Sequence, residues 1–349
     1  MLVLSCVLAA CSVADPDSIA GAIQEQRNRA GTASVTVPPA PDLTRTGRVG
    51  LRLATNSVGW ERALNASPTR GAVILLVVPN SPSDRAGLKR GDVITQVGPS
   101  VISNDERAQV ALRGKPSVPL KVTIDRGDEE LVIDVIPGPP IEFDQDAYVA
   151  AALKEDPRDA TNLLLRAQTV TDRQEAKRLV DRALEVQPDL VDALILRARL
   201  FWAESLEVTN EAVIRDDRRR ANDDYQRALE IDPNSTSVLR SRSTGSLEVL
   251  EYDSAERDGL RAIGIDASFP SAYYAVAAGR LGNGRYREAA APARDAVRLD
   301  PYDAHGYRLL ALVFVGLERR DDASETVRLG LTVAADDNER AALEAVITE

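Results

Sequence analysis

The chain has 349 residues, a formal net charge of −11 and an aromatic content of only 4%. This length predicts two or three domains, and the scarcity of aromatic residues favours helices packed through Ala and Leu. The acidic balance argues against general nucleic-acid binding, because contacts to phosphates need a basic face.

The N-terminus begins with a short apolar run, MLVLSCVLAAC, which ends at Cys11. The run is too short for a transmembrane helix, which needs about 20 apolar residues, and it is typical of a signal-peptide core. Its last four residues, Leu8 to Cys11, resemble a bacterial lipobox, although no Lys or Arg precedes the run. The resemblance implies removal of residues 1–10 and lipidation of Cys11. The alternative is a frayed N-terminus with a chance cysteine.

Residues 11–44 are predicted to be the lipidated cysteine and a flexible tether. The stretches ADPDS, QEQRNRAGT and VPPAPD are polar or rich in proline and show no sustained apolar period. A segment of this composition cannot bury enough apolar surface to fold alone. Together with the lipobox, the tether predicts a lipid-anchored, extracytoplasmic protein of a bacterial cell envelope.

Residues 45–140 have the pattern of a small β-rich domain. Four runs of mostly β-branched residues, each bounded by Gly, Pro or Asp, predict strands. Arg126-Gly127-Asp128 predicts a hairpin between the last two strands, and the capping-box spacing of Ser103 and Glu106 predicts a helix that ends near Leu112. The predicted strands are Ala72–Val78, Val93–Val97, Leu120–Ile124 and Leu131–Ile136.

The stretch SPSDRAGLKRGDVI, residues 81–94, lies between the first two of these strands. Gly87 and Gly91 suit tight turns in which a Cβ atom would be strained, and Leu88 and Ile94 are expected in the core. The order strand, Ser-Pro, Ala-Gly-Leu, Gly-Asp, strand resembles the bacterial, circularly permuted PDZ domain over about 95 residues. The resemblance implies a small β-barrel or sandwich.

In such a domain the C-terminus of a partner adds as a strand beside the helix, and the backbone of a Φ-Gly-Φ loop holds its carboxylate. Gly50 is expected to let the backbone approach the ligand, and Arg48 to add attraction from the rim. The aliphatic pocket favours a modest apolar C-terminal residue. The alternative is a PDZ fold with a blocked groove that only spaces or contacts its neighbour. The resemblance assigns peptide binding to Arg48, Val49, Gly50, Leu51, Leu53, Ala108 and Leu112.

Residues 141–349 carry a net charge of −12, whereas residues 42–140 carry +2, so two bodies of different character follow each other. In the acidic part, Asp232, Asp266 and Asp300 are each 34 residues apart and follow alanine-containing helix ends. This period resembles that of tetratricopeptide repeats, which are helix–turn–helix units. We predict five repeats from about residue 157 to residue 335 and a capping helix over residues 338–348, which makes the chain a multidomain α+β protein with an all-α repeat solenoid.

The interval from Pro188 to Pro233 is 11 residues longer than the period of 34, and the surplus lies in the stretch FWAESLEVTNEAVIRDDRRR. The interval before it, from Pro157 to Pro188, is three residues shorter than the period. The surplus either lengthens both helices of the second repeat or inserts a loop.

Tetratricopeptide arrays bind peptides on the concave face formed by the first helix of each repeat. In this register Leu194, Tyr273 and Tyr307 face the second helix of their own repeat. The residue after each of them points about 100° further round the helix, towards the concave face. A basic and aromatic inner wall then predicts a groove for an acidic or C-terminal peptide. The alternative is that its arginines pair with neighbouring Asp and Glu. The predicted wall consists of Arg199, Trp202, Arg240, Tyr274, His305 and Arg308.

The sequence favours an interaction protein over an enzyme. His305 is the single histidine, which argues against His-based triads and multi-His metal sites, and no HExxH, GxSxG or P-loop motif is present. We expect no catalytic residue, metal, cofactor or nucleic-acid partner.

The leading hypothesis is a membrane-anchored scaffold that binds peptide or protein partners through both modules. PDZ domains often accompany serine proteases, so one alternative is an adaptor or regulator of an envelope protease. The other alternative is an enzyme with unrecognised chemistry.

Overall fold

The computed structural model describes residues 35–45 and 47–348, so the predicted signal peptide and Cys11 lie outside the described residues. Two compact units divide the chain: residues 44–238 form one, and residues 239–349 form the other together with the described part of residues 1–43. No helix in the part of the chain that the structure describes has the length and apolar character needed to cross a membrane.

An antiparallel six-stranded sheet forms the β-rich domain, in the order β1-β2-β3-β5-β6 with β4 paired to β3. The four predicted strands are confirmed to within two residues at their ends. Among the described strands β1 pairs with β2 alone, so β1 lies at an edge of the sheet. The strands are β1 (Leu51–Thr55), β2 (Ala72–Val77), β3 (Val93–Val97), β4 (Ser100–Val101), β5 (Leu120–Arg126) and β6 (Glu129–Val135).

The stretch between β2 and β3 contains a short helix and two glycine turns. Ser81 caps helix α2, because its hydroxyl accepts a hydrogen bond from the N–H of Asp84 at 3.2 Å. Gly87 and Gly91 have φ angles of +83° and +90°, a left-handed conformation in which a Cβ would be strained. Asp92 is 1% exposed, and it accepts two hydrogen bonds from Arg126 at 2.7 and 2.8 Å. These contacts fix the turn that leads into β3.

Three helices accompany the sheet: α1 (Val58–Leu64), α2 (Pro82–Arg85) and α3 (Asp105–Ala111). The prediction that α3 begins at Ser103 is wrong. Asn104 is the N-cap, with an extended φ of −157°, and its side-chain oxygen accepts a hydrogen bond from the N–H of Arg107 at 2.7 Å. Asparagine is among the preferred capping residues, because its short side chain reaches the N–H groups of the first turn.

The helical part begins with α4, which the sequence did not predict, and continues as five helix pairs and a final helix. The predicted five pairs and the capping helix are therefore present. The 11-residue surplus lengthens both helices of the second pair, α7 with 17 residues and α8 with 21, so the predicted alternative of an inserted loop is wrong. The helices are α4 (Gln145–Glu155), α5 (Ala160–Ala167), α6 (Arg173–Val186), α7 (Val191–Glu207), α8 (Glu211–Ile231), α9 (Thr236–Leu247), α10 (Tyr252–Ile265), α11 (Pro270–Gly282), α12 (Tyr286–Leu299), α13 (Ala304–Gly316), α14 (Arg320–Leu331) and α15 (Asp337–Thr348).

Within residues 44–238, helix α1 fixes the β-rich domain to the helices that follow it. Trp60 is fully buried, and its indole N–H donates a hydrogen bond to Asp192 on α7 at 2.5 Å. A Cβ on Gly59 would lie 2.5 Å from the carbonyl oxygen of Asp189, so only glycine fits at this contact. Arg90 adds two hydrogen bonds to Asp159, each of 2.7 Å. The β-rich domain and the first helix pairs therefore form one packed body.

Helix α12 contains a proline in its interior, Pro292. Proline has no N–H group, so the carbonyl of Glu288, four residues earlier, loses its helical donor. Arg280 on α11 is 4% exposed, and its Nη1 donates to that carbonyl at 3.1 Å. Its Nε also donates to the carboxylate of Glu256 at 2.7 Å. The buried arginine thus supplies the hydrogen bond that the proline removes.

Candidate functional site

A cavity of about 390 Å³ lies between the edge strand β1 and helix α3. This volume falls within the range of roughly 300–1,000 Å³ that is typical of ligand pockets. Val49, Gly50 and Leu51 form one end, and side chains of β1 and α3 form the walls. The lining residues are Arg48, Val49, Gly50, Leu51, Arg52, Leu53, Val78, Pro82, Gln109, Leu112, Arg113, Pro139, Pro140, Ile141 and Phe143.

The loop before β1 presents two backbone donors at this cavity. The carbonyl of Val49 accepts from the N–H of Ser83 at 3.0 Å, and the carbonyl of Gly50 accepts from the N–H of Val78 at 2.9 Å. Within the described residues, the N–H groups of Val49 and Gly50 themselves donate no hydrogen bond. Successive unpaired N–H groups in a loop with a left-handed residue, here Gly50 with φ +79°, form an anion-binding nest.

The glycine at position 50 also has a structural role that the sequence does not predict. A Cβ there would lie 2.4 Å from the Cβ of Ser81, inside the domain itself. The position therefore requires glycine for its left-handed backbone and for the packing of Ser81. A bulky residue at position 50 would distort the loop whether or not a ligand is bound.

Of the residues predicted to bind a peptide in this domain, all but one line the cavity. The exception is Ala108, which is fully buried and belongs to the core cluster with Ile74 and Ile94. Its position in the second turn of α3 directs the small side chain towards the sheet. The prediction that Ala108 lines the pocket is therefore wrong, and Gln109, the exposed residue that follows it, takes this place.

The segment that follows β6 contributes a wall that the sequence did not predict. Gly138 pairs with Arg48 through two backbone hydrogen bonds of 2.7 and 3.0 Å. Further along, the Nε of Arg52 donates to the side chain of Gln145 at 2.6 Å. Between these two contacts, Ile141 and Phe143 add apolar surface to the cavity. The segment narrows the groove and leaves the cavity in place.

The charged residues that line the cavity all carry a positive charge. Arg48, Arg52 and Arg113 line it, and none of its described lining residues is Asp or Glu. Since low-dielectric walls strengthen the field of fixed charges, the cavity favours anionic groups.

Residues 47–136 match the family model described as PDZ domain. This part of the chain is a PDZ domain. Serine protease HTRA1 of Xenopus tropicalis is 31% identical to the chain over 138 residues, which cover 38% of this chain and 28% of that protein. The chain spans 28–29% of the length of the first curated relatives that it matches.

The helical repeats have relatives of their own. Small glutamine-rich tetratricopeptide repeat-containing protein 2 of Mycosarcoma maydis is 32% identical over 103 residues, which cover 29% of each protein. The crystal structure of a thermophilic TPR protein of Thermus thermophilus covers 54% of this chain and 100% of its own with a TM-score of 0.46 and 16% identity. With the observed helix pairs, the predicted fold class, a PDZ domain followed by helical repeats, is confirmed.

The residues predicted for the repeat groove are divided between the two compact units. Arg199 is exposed and belongs to residues 44–238, whereas Arg240, Tyr274, His305 and Arg308 belong to the other unit. Arg199 and Arg308 form no ion pair with another described residue.

The other predicted groove residues have close neighbours. The guanidinium of Arg240 lies 5.7 Å from the centre of the Phe269 ring. The imidazole Nδ1 of His305 lies 3.2 Å from a carboxylate oxygen of Asp303, and this hydrogen bond raises the pKa of His305 above its ordinary value.

Trp202 does not belong to an open groove, so this prediction is wrong. Its side chain is 3% exposed, and the guanidinium of Arg218 on α8 lies 5.3 Å from its ring centre. Residues four apart share a face of a helix, so Trp202 continues the buried face that contains Leu194 and Ala198. It packs against the second helix of its own pair.

Among the described residues, no group of three or more His, Cys, Asp or Glu side chains could hold a metal ion.

Proposed function

We propose that the PDZ domain binds the carboxyl-terminal segment of partner proteins in the groove between β1 and α3. The observation that carries the proposal is that Val49 and Gly50 line the cavity and that their N–H groups donate no hydrogen bond to any residue the structure describes. A carboxylate at this nest satisfies both donors, and the open edge of β1 offers its backbone to an added strand. A PDZ domain with helical repeats makes the chain a protein-interaction module.

The lining of the cavity suggests which C-termini fit. Leu51, Leu53 and Leu112 surround the place of the last side chain, which favours an apolar residue. The arginines at positions 48, 52 and 113 favour acidic residues upstream of it. The preferred partner then ends in an apolar residue and carries acidic residues a few positions upstream of it.

The location of the protein is part of the same proposal. The lipobox-like Leu8 to Cys11 supports a bacterial lipoprotein that is anchored to a membrane of the cell envelope and extends outside the cytoplasm. Palmitate labelling of the expressed protein should disappear in a Cys11→Ser variant. Labelling that survives this change would contradict the anchor.

A second candidate function is an adaptor or regulator of an envelope protease. The match of the PDZ domain to that of a serine protease favours this reading, because such proteases and this chain would present similar grooves. We assign the chain itself no catalytic step.

The groove can be tested by filling it from an exposed position. Gln109 lies on α3, is exposed and lines the cavity, so Gln109→Trp should obstruct peptide entry without disturbing the core. The probe is a set of labelled peptides Gly-Ser-Glu-Asp-Leu-X with free carboxylates, in which X is Ala, Val, Leu or Ile. Fluorescence anisotropy should show at least tenfold weaker binding to Gln109→Trp than to the unaltered chain.

Val101→Trp is the matched control, because Val101 is 72% exposed and does not line the cavity. This variant should bind the peptides as the unaltered chain does. If Gln109→Trp and Val101→Trp bind alike, the groove between β1 and α3 is not the binding site.

A further inference from the structure

Part of the segment predicted as a tether lies on the last helix pairs. In the unit that contains residues 239–349, Nη1 of Arg319 donates a hydrogen bond to the carbonyl of Val35 at 2.7 Å. The hydroxyl of Tyr302 donates to the carbonyl of Asp42 at 3.3 Å. Residues 35–42 contain no helix or strand, so two contacts at their ends hold an irregular segment on a helical surface.

The two contacts lie at opposite ends of one helix. Tyr302 precedes α13 by two residues, and Arg319 follows its end by three. The 13 residues of α13 span about 20 Å. Seven residue steps of extended, polyproline-like chain span about 22 Å. The segment therefore has the length needed to run along α13, antiparallel to it, from Arg319 to Tyr302.

The side chains of residues 35–37 alternate as in an extended ligand. Val35 and Val37 pack against the apolar cluster of the last repeats, whereas Thr36 between them is exposed. Pro38 is buried. The same cluster includes Tyr274 on α11, which belongs to the predicted inner wall, and Leu312 on α13, which lies one helical turn after Arg308 of that wall.

The polar anchor at Arg319 is held by contacts that do not involve the segment. Its Nε donates to Asp322 at 2.8 Å, and its guanidinium lies 4.6 Å from the centre of the Phe314 ring. These contacts fix the guanidinium and leave Nη1 for a backbone carbonyl. A donor fixed in advance loses little conformational freedom when a peptide binds.

We propose that the last two helix pairs carry a binding site for an extended peptide of the pattern Val-x-Val-Pro-Pro, and that residues 35–42 are its resident ligand. The arginine binds main chain and tolerates any sequence, whereas the two valine positions and the buried proline select the pattern. The prolines restrict the free peptide and so reduce the entropy lost on binding. A partner that presents the same pattern must displace residues 35–42. This site is separate from the PDZ groove and takes internal rather than C-terminal sequence.

The test uses the full chain with Val35→Ser and Val37→Ser, which weakens the resident segment and keeps its length. The probe is the labelled peptide VTVPPAPD with an amidated C-terminus, which excludes capture by a carboxylate nest. Fluorescence anisotropy should show saturable binding to the double variant, at least tenfold tighter than to the unaltered chain. Absence of saturable binding to the double variant, or equal binding to both chains, would overturn the proposal.

Two further variants test whether the peptide binds along α13. In the double-variant background, Arg319→Gln should weaken peptide binding at least fivefold. Arg328→Gln is the control, since Arg328 pairs with Glu325 on α14 and is exposed; it should leave the affinity unchanged. Equal losses in both would refute the site.

If the double variant does not fold, the unaltered chain with excess peptide serves instead. Amide exchange at residues 35–37 should then accelerate, and unchanged exchange at saturating peptide would refute displacement.

Discussion

Replacement of Arg242 by methionine should lower the free energy of unfolding by about 3–5 kcal/mol, because it leaves the buried carboxylate of Asp258 without its bidentate partner. Arg242 on α9 and Asp258 on α10 are joined by two hydrogen bonds of 2.7 and 2.6 Å. Their side chains are only 2% and 6% exposed. Solvent therefore cannot replace the lost guanidinium, and the folded state is destabilised by a buried carboxylate that has lost its two hydrogen bonds from Arg242.

Removal of both charges should be far less harmful than removal of one. In an Arg242→Met/Asp258→Leu variant neither charge of the pair remains to be desolvated, and such apolar replacements of buried pairs are often neutral. The next repeat already has apolar residues at the two equivalent positions. The residues 34 positions later are Val276 and Pro292, and both are buried. Urea unfolding should show that the double variant recovers at least half of the stability lost in Arg242→Met. Purely additive losses would contradict this account.

The second helix pair provides a matched comparison. Arg197 and Asp224 form the same bidentate geometry, at 2.8 and 2.7 Å. Their side chains are 22% and 8% exposed, and Arg197 also pairs with Asp181. Because water reaches this pair, Arg197→Met should cost less than Arg242→Met in the same urea experiment.

The repeat architecture could be predicted because its signal is periodic. Small residues and the aspartates that end the second helices recur, the latter with a spacing of 34 residues from Asp232 to Asp300, and each repeat must bury the same faces. The buried ion pairs recur with the same spacing: Arg242 follows Arg197 by 45 residues, across the 11-residue surplus, and Asp258 follows Asp224 by 34. The signal was therefore present in the sequence. The burial of these ion pairs depends on how neighbouring helices pack, which could not be read from the sequence.

The loop and the edge strand of the PDZ groove could be predicted from the sequence, whereas part of its walls could not. Val49, Gly50 and Leu51 follow from a motif, since a left-handed residue and two adjacent amides are local properties of the chain. Ile141 and Phe143 reach the cavity only because the segment after β6 turns back towards Arg48. Such a contact between distant residues has no periodic signature. The apolar character of both residues beside Pro139 and Pro140 was the available hint.

The segment of residues 35–42 was predicted as tether because it has too few apolar residues to form a core. The alternation of Val35 and Val37 was nevertheless the signal of one buried side. An extended peptide needs only two such side chains and a few main-chain hydrogen bonds when a folded surface receives it. Composition alone therefore cannot separate a free linker from a bound one.

The carboxylate nest should distinguish a free C-terminus from a blocked one by about thirtyfold or more in affinity. A hydrogen bond to a charged group contributes about 1.5–3 kcal/mol, and about 1.4 kcal/mol corresponds to a factor of ten. A carboxamide is uncharged and replaces one carboxylate oxygen by an NH2 donor, so it accepts weaker hydrogen bonds from the N–H groups of Val49 and Gly50 than a carboxylate does. The three arginines around the cavity also lose their attraction for the terminus.

The most direct measurement is a calorimetric titration of the full chain with paired peptides. The best-binding member of the series Gly-Ser-Glu-Asp-Leu-X is compared with the same peptide carrying a C-terminal carboxamide, at constant ionic strength. Our account predicts one binding site for the carboxylate form and an affinity at least thirtyfold weaker for the carboxamide. Equal affinities for the two forms, or no binding by any member of the series, would contradict the claim that this PDZ groove binds C-terminal peptides.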